Sequence, residues 1–162
     1  MSAPQNAGDI VENFTTQDQD GNTVSLSDFG AGPVVLFFYP RADTPGCTIE
    51  ACGFRDTFAK LKEAGVTVLG ISRDDVKAQK KFAVKYDIQY PLLADKDETI
   101  CNYFDLIKPK NMYGKLVKGV ERTTFLIAPA DAEGKQKLLH VWPKVKPEGH
   151  AEEVLAFVKK AK

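Results

Sequence analysis

Two cysteines five residues apart, Cys47 and Cys52, close the run Pro40-Arg41-Ala42-Asp43-Thr44-Pro45-Gly46-Cys47-Thr48 and its continuation, and this stretch is where the chain can do chemistry. It comes directly after an apolar run, residues 34–39, that reads as a buried β-strand. It also opens a segment that reads as a helix. Cys47 is thereby delivered to a helix N-terminus at the carboxyl end of a strand. Unpaired backbone N–H groups and the helix dipole favour an anion at such a place, and the thiolate is the nucleophilic form of cysteine. Thr44 suits the N-cap, Pro45 the first helical position, and Gly46 leaves room above the helix end. Cys47 then falls near N3. A free cysteine is often just a small buried hydrophobe, but a Thr-Pro-Gly cap fed by a strand argues for more than filler.

Cys52 is the candidate partner. Five helical steps turn it about 140° from Cys47 and raise it about 7.5 Å, so the two face different directions. In a continuous helix their Cα atoms lie about 8 to 9 Å apart, beyond the roughly 7 Å limit for a disulfide. A bond between them requires the first turns to unwind, with Gly53 as a weak point. A thiol meant to attack an O–O bond also needs more than a lowered pKa. A fall from about 8.5 to about 6 raises the thiolate fraction at pH 7 from roughly 3% to roughly 90%. Intrinsic nucleophilicity falls about tenfold at the same time. Large acceleration must come from donors that hold the oxygens as charge moves. The Thr44 hydroxyl, the Cys47 N–H and an arginine are candidates. Arg122, at the start of the strand 122–127, is the preferred arginine because its planar fork suits an anion and an oxygen pair; Arg41 and Arg55 are rivals.

The elements that must position these groups follow in order. A short hairpin, 14–17 with 23–26, flanks the turn signal Asp18-Gln19-Asp20-Gly21-Asn22. After strand 34–39 comes a helix over about 45–64, with Ala51, Phe54, Phe58 and Leu61 as its apolar stripe and Gly65 as its stop. Strand 66–71 precedes a helix capped by Asp74 or Asp75 and running to about Tyr86. Residues 90–94 form a shorter strand, weakened by Pro91 and placed nearer an edge. A short helix at about 98–104 is followed by a loop or irregular hairpin over 108–119. Strands 123–127 and 138–142 form a hairpin, and an amphipathic helix spans 151–160. This βαβαβα order requires crossovers and hence parallel strands, and the later strands add antiparallel pairs. The prediction is an α/β fold, a mixed central sheet flanked by helices, as a single domain over 1–162.

Composition narrows the rest. The 162 residues carry 22 Lys+Arg and 22 Asp+Glu, so no excess charge calls for nucleic acid or an anionic membrane. The end Lys159-Lys160-Ala161-Lys162 reads as a solvated helix terminus. No apolar run approaches the roughly 20 residues needed to span a bilayer, and the N-terminus has no secretory pattern. Three cysteines are too few for a disulfide scaffold, which points to a reducing, cytoplasmic setting. Cys101, beside Phe104, reads as buried filler. Cys47, Cys52, Cys101, His140 and His150 lack the close paired spacing of a metal site.

The loop resembles that of the peroxiredoxins, in the bacterioferritin-comigratory or Q-type subfamily. Its Pro-x-x-x-Thr-x-x-Cys pattern stands here as Pro40, Thr44 and Cys47, and the longer Thr-Pro-Gly-Cys-Thr-x-x-Ala-Cys form as Thr44 to Cys52. The similarity continues through Gly70-Ile71-Ser72, Leu92-Leu93-Ala94-Asp95, Arg122-Thr123-Thr124-Phe125-Leu126-Ile127 and the Trp142 segment. It implies a thioredoxin-like fold with an N-terminal extension and a monomer. It implies that Cys47 is the peroxidatic cysteine, with Pro40, Thr44 and Arg122 completing the pocket. Cys52 matches the resolving cysteine of members that place it five residues on; others carry it on the next helix, where this chain has Ala83. Hydrogen peroxide and organic hydroperoxides are the implied substrates and thioredoxin, or a similar dithiol protein, the implied reductant, with no metal, haem or flavin. Two other readings of the same residues stand beside this one. A thiol–disulfide oxidoreductase would normally use C-x-x-C, which is absent. A non-catalytic redox sensor would be oxidised once, without turnover.

Overall fold

The computed structural model describes residues 3–160; Met1, Ser2 and the end of the lysine-rich terminus, Ala161 and Lys162, lie outside the described residues. In chain order the elements are β1 (Ile10–Val11), β2 (Thr15–Gln17), β3 (Thr23–Ser25), β4 (Val34–Phe38), α1 (Pro45–Glu63), β5 (Thr67–Ser72) and α2 (Val76–Tyr86). They continue with β6 (Leu92–Ala94), α3 (Thr99–Tyr103), β7 (Ile107–Met112), β8 (Lys115–Val120), β9 (Thr123–Ile127), β10 (Gln136–Trp142) and α4 (His150–Lys160). Eight strands form one sheet in the order β1-β10-β9-β4-β5-β6-β2-β3. β4, β5 and β6 run parallel because α1 and α2 are the crossovers between them. β9 and β10 return antiparallel beside β4.

The central strand β4 is buried at all five residues, and its alternation feeds two cores. Val35, Phe37 and the following Tyr39 meet Ala51, Phe54 and Leu61 of α1, Phe82 of α2 and Val154 and Val158 of α4. Val34, Leu36 and Phe38 meet Ile100, Cys101 and Phe104 on the α3 side. Helices therefore cover both faces of a mixed sheet, the expected α/β arrangement. Gly70 of β5 lies where Phe37 and Leu92 close over the strand: a Cβ there would come within 2.8 Å of Phe37 Cζ and 2.9 Å of Leu92 Cδ2. Among the described residues no helix is long and apolar enough to cross a membrane.

Several boundaries differ from the sequence expectation, each for a physical reason. Residues 108–119, expected as a loop or irregular hairpin, lie in a regular two-stranded ladder from Ile107↔Val120 to Met112↔Lys115. Its turn is Tyr113-Gly114, with φ of 54° and 78°, the paired left-handed residues that a two-residue hairpin favours. Strand β6 begins at Leu92, after the proline, and not at Tyr90. It is not an outer strand: the N-terminal hairpin β2/β3 extends the sheet through Gln17↔Ala94. β1 joins the opposite margin by pairing with β10, and β10 starts at Gln136, two residues earlier than expected.

Candidate active site

Strand β4 ends at Phe38, the chain passes through Tyr39 to Pro40, and the loop reaches α1 with Thr44 at the N-cap, Pro45 at N1 and Cys47 at N3. Thr44 has the extended backbone of an N-cap, φ −98° and ψ 156°, but its side chain makes no capping bond. Its hydroxyl instead donates to the Arg41 carbonyl at 2.9 Å, the local alternative open to Ser and Thr near a helix start. With the proton so committed, Oγ1 keeps acceptor capacity, so the expected hydroxyl donor is replaced by an acceptor.

Cys47 is fully buried. Nη2 of Arg122, from the residue just before β9, lies 3.3 Å from its Sγ. Of the three arginines considered, Arg122 is the one brought to the sulfur. Arg55 spends its guanidinium on Asp56 and on the Tyr86 carbonyl, and Arg41 is exposed in the loop. Gly46 permits this approach: a Cβ there would sit 3.1 Å from Arg122 Nη2 and 3.3 Å from Pro147 Cγ. The segment carrying Pro147 is tied to the same place by Val145 N–H donating to the Arg122 carbonyl at 2.8 Å. Pro40 is half-buried and lines a shallow recess with Arg41, Arg73 and Asp74.

Glu50 is the group that the sequence reading missed. It lies one turn beyond Cys47, fully buried, and accepts from Arg122 Nη1 at 2.7 Å. Arg122 thus bridges a sulfur and a carboxylate through two nitrogens of one fork. Burial pushes the Glu50 pKa up to about 7, against the pull of Arg122, and its Oε2 has no hydrogen-bond partner among the described residues. Burial works against the Arg122 charge, but the attraction of Glu50 and Cys47 outweighs it and holds the guanidinium pKa above its ordinary value. The i,i+3 spacing of Cys47 and Glu50 was visible; a glutamate on a helix simply reads as solvated without a partner in view.

Helix α1 runs without a break through Cys52, and all three cysteines are free. Cys52 is half-buried, and burial raises its thiol pKa, offset in part by Arg55. Gly53 has a packing role that the sequence reading did not foresee. A Cβ there would come within 3.2 Å of the Ala151 Cβ, so the glycine lets α4 approach α1. Cys101 lies fully buried among apolar residues of the α3 core, the filler position expected for it. Its backbone N–H donates to Asp95 at 2.7 Å. Both histidines are also occupied: His150 Nε2 lies 2.8 Å from Thr124 Oγ1 and Nδ1 lies 3.0 Å from Glu153 Oε1, while His140 stacks on Phe157. Among the described residues no cluster of three or more His, Cys, Asp or Glu is disposed to hold a metal ion.

A family model described as AhpC/TSA matches residues 7–135. The chain is 51% identical over 142 residues to a putative peroxiredoxin bcp of Coxiella burnetii, covering 88% of this chain and 91% of that protein. It is 44% identical over 156 residues to peroxiredoxin Bcp of Escherichia coli K12, covering 96% and 97%. Among solved structures, a cysteine-to-serine mutant of PrxQ from Xylella fastidiosa matches with a TM-score of 0.90 at 36% identity over 99% of both chains. The bacterioferritin comigratory protein of Xanthomonas campestris, studied for its alkyl peroxide reduction, matches at 0.83 and 40% identity over 91% of both. The thioredoxin-like sheet flanked by helices accords with these relatives: the chain belongs to the AhpC/TSA family and, within it, to the Bcp/PrxQ peroxiredoxins, which are thiol peroxidases.

Proposed function

We propose that this protein reduces hydrogen peroxide and organic hydroperoxides through Cys47, with Cys52 as resolving cysteine and a thioredoxin-like dithiol protein as reductant, acting as a single-domain cytoplasmic monomer. The observation that carries the reading is the 3.3 Å contact between Arg122 Nη2 and the Cys47 sulfur at the N-terminus of α1. The reacting form of a cysteine is the thiolate, and the Arg122 guanidinium stands at the sulfur where attack takes place. The thiolate attacks the hydroxyl oxygen of the peroxide, the O–O bond breaks, and the proton of that hydroxyl passes to the departing oxygen, which leaves as water or an alcohol; the sulfenate left on Cys47 takes up a proton from solvent to become the sulfenic acid.

Each neighbour has a place in that step. Arg122 holds the sulfur anion and donates to the oxygens as charge passes onto the leaving group. Thr44 Oγ1, whose own hydroxyl donates to the Arg41 carbonyl, accepts a hydrogen bond from the hydroperoxide O–H. Pro40, which opens the same loop, takes the place in the pocket wall that the peroxiredoxin resemblance assigns to it. Because Cys47 has no solvent-exposed surface, peroxide reaches the sulfur only as the cover around it shifts. The Cys52 thiol then condenses with the sulfenic acid: an S–S bond forms, the S–O bond breaks and water leaves. α1 must unwind for this, since Cys52 lies more than one turn on along a continuous helix.

Mixing the protein with hydrogen peroxide, thioredoxin, its reductase and NADPH tests the proposal. Steady NADPH consumption that Cys47→Ser abolishes is expected. A single stoichiometric oxidation without turnover would instead indicate a sensor, and full activity in Cys47→Ser would refute the assignment.

A further inference from the structure

We infer that Tyr86 is a positioning residue for the disulfide-forming step, a latch that holds wound the stretch of chain that must open. The inference rests on the reading of Cys52 as resolving cysteine. Residues 43–55 contain both cysteines, and Tyr86, at the C-terminal end of α2, grips this stretch at both ends. Its hydroxyl donates to Asp43 Oδ1 at 2.8 Å, one residue before the α1 N-cap. Its carbonyl accepts from Arg55 Nη1 at 2.8 Å, three residues beyond Cys52. Lys85 reinforces the first grip, with Nζ 2.9 Å and 3.2 Å from the two Asp43 oxygens.

The grip is placed where it opposes a local tendency to rearrange. Asp43 sits at φ 60°, a left-handed conformation that Asp tolerates but does not prefer. The Lys85 and Tyr86 bonds help to keep it there, and with it the entry angle of α1. A third tether lies between the two ends: Tyr90 Oη donates to the Ala51 carbonyl at 2.7 Å, immediately before Cys52. Tyr90 is fully buried and part of the core, whereas Tyr86 is half-buried at its margin, the ring packed on buried Phe82 with 5.5 Å between centroids and the hydroxyl directed to Asp43. The Tyr86 hydroxyl is therefore the tether that can be removed without disturbing the core.

The consequence is kinetic. In the wound state the Cys47 sulfenic acid and the Cys52 thiol cannot meet, so the disulfide forms only from the opened state. A hydrogen bond that exists only in the wound state lowers the population of the opened one. Loss of one such bond is expected to speed disulfide formation about two- to tenfold. Peroxide attack occurs in the wound state and is left unchanged. The same bond lengthens the life of the sulfenic acid, the species that a second peroxide converts to sulfinic acid.

The test follows both steps in the intact protein after one equivalent of hydrogen peroxide, by rapid mixing, thiol blocking and mass spectrometry. In Tyr86→Phe, and likewise in Asp43→Ala, which removes the acceptor, the Cys47–Cys52 disulfide should form two- to tenfold faster than in the wild type. Sulfenic acid formation should stay within twofold, and excess peroxide should leave less sulfinic acid. Unchanged disulfide kinetics in both variants, or an equal slowing of both steps, would overturn the latch while leaving Cys52 as resolving cysteine. A wild-type protein that forms no Cys47–Cys52 disulfide would instead remove the reading on which the latch rests.

Discussion

Glu50→Gln makes the buried carboxyl visible in the dependence of stability on pH. In the fold, burial raises the Glu50 pKa from 4.5 to about 7. Between those pH values the folded protein holds a proton that the unfolded chain has released, so stability falls as pH rises through the window. At about 1.4 kcal/mol per pH unit, the full fall is about 3 kcal/mol. Glutamine keeps the volume and an acceptor for Arg122 Nη1 but does not titrate. His150 acts with the opposite sign, because burial lowers its pKa. The stability from its neutral form is present above about pH 6.5 and is lost as pH falls. It is common to both proteins, so it cancels in their difference. In a Cys47→Ser background, which removes the neighbouring thiol, urea unfolding at pH 4.5 and pH 8 should show the carboxyl protein losing about 3 kcal/mol relative to Glu50→Gln. A difference that does not change with pH would refute a buried carboxyl that takes up its proton near neutrality.

Arg122→Ala removes the donor at the sulfur and leaves Glu50 buried without its cation, so the rate constant of Cys47 with hydrogen peroxide, read by stopped flow, should fall by about 10²-fold or more. Arg122→Lys should recover little of it, since one ammonium cannot serve Sγ and Glu50 through two separate nitrogens. Gly70→Ala should cost about 1–3 kcal/mol in urea unfolding. Phe37 has no room to yield to the new methyl, being stacked on Phe54 with centroids 4.6 Å apart.

The placement of Cys47 was legible because its signals are local: an apolar strand, a Thr-Pro-Gly cap and a helical stripe each act within a few residues. The three parallel strands followed from the same kind of pattern. What escaped depends on contacts between distant segments. Glu50 looks like any solvated helical glutamate until β9 brings Arg122 to it across 72 residues. Arg122 itself was preferred for its strand-end position and became a firm expectation only through family resemblance. The roles of Gly53 and Gly70 depend on what packs over them, Ala151 in one case and Phe37 with Leu92 in the other. β1, with two residues, is too short to show a period. In β7 and β8, lysines and Pro109 mask the alternation, and the pairing is announced only by Tyr113-Gly114. The Thr44 hydroxyl had two competing local partners, and composition does not choose between a capping N–H and the Arg41 carbonyl.

The central claim is that one sulfur, gripped by Arg122 in the first turn of α1, is the atom that peroxide oxidises. Treating Cys52→Ser with one equivalent of hydrogen peroxide and trapping sulfenic acid with a dimedone probe, followed by peptide mass spectrometry, reads that atom directly. The label should fall on Cys47, with Cys101 left as thiol. Label on Cys101 with Cys47 intact would contradict the account.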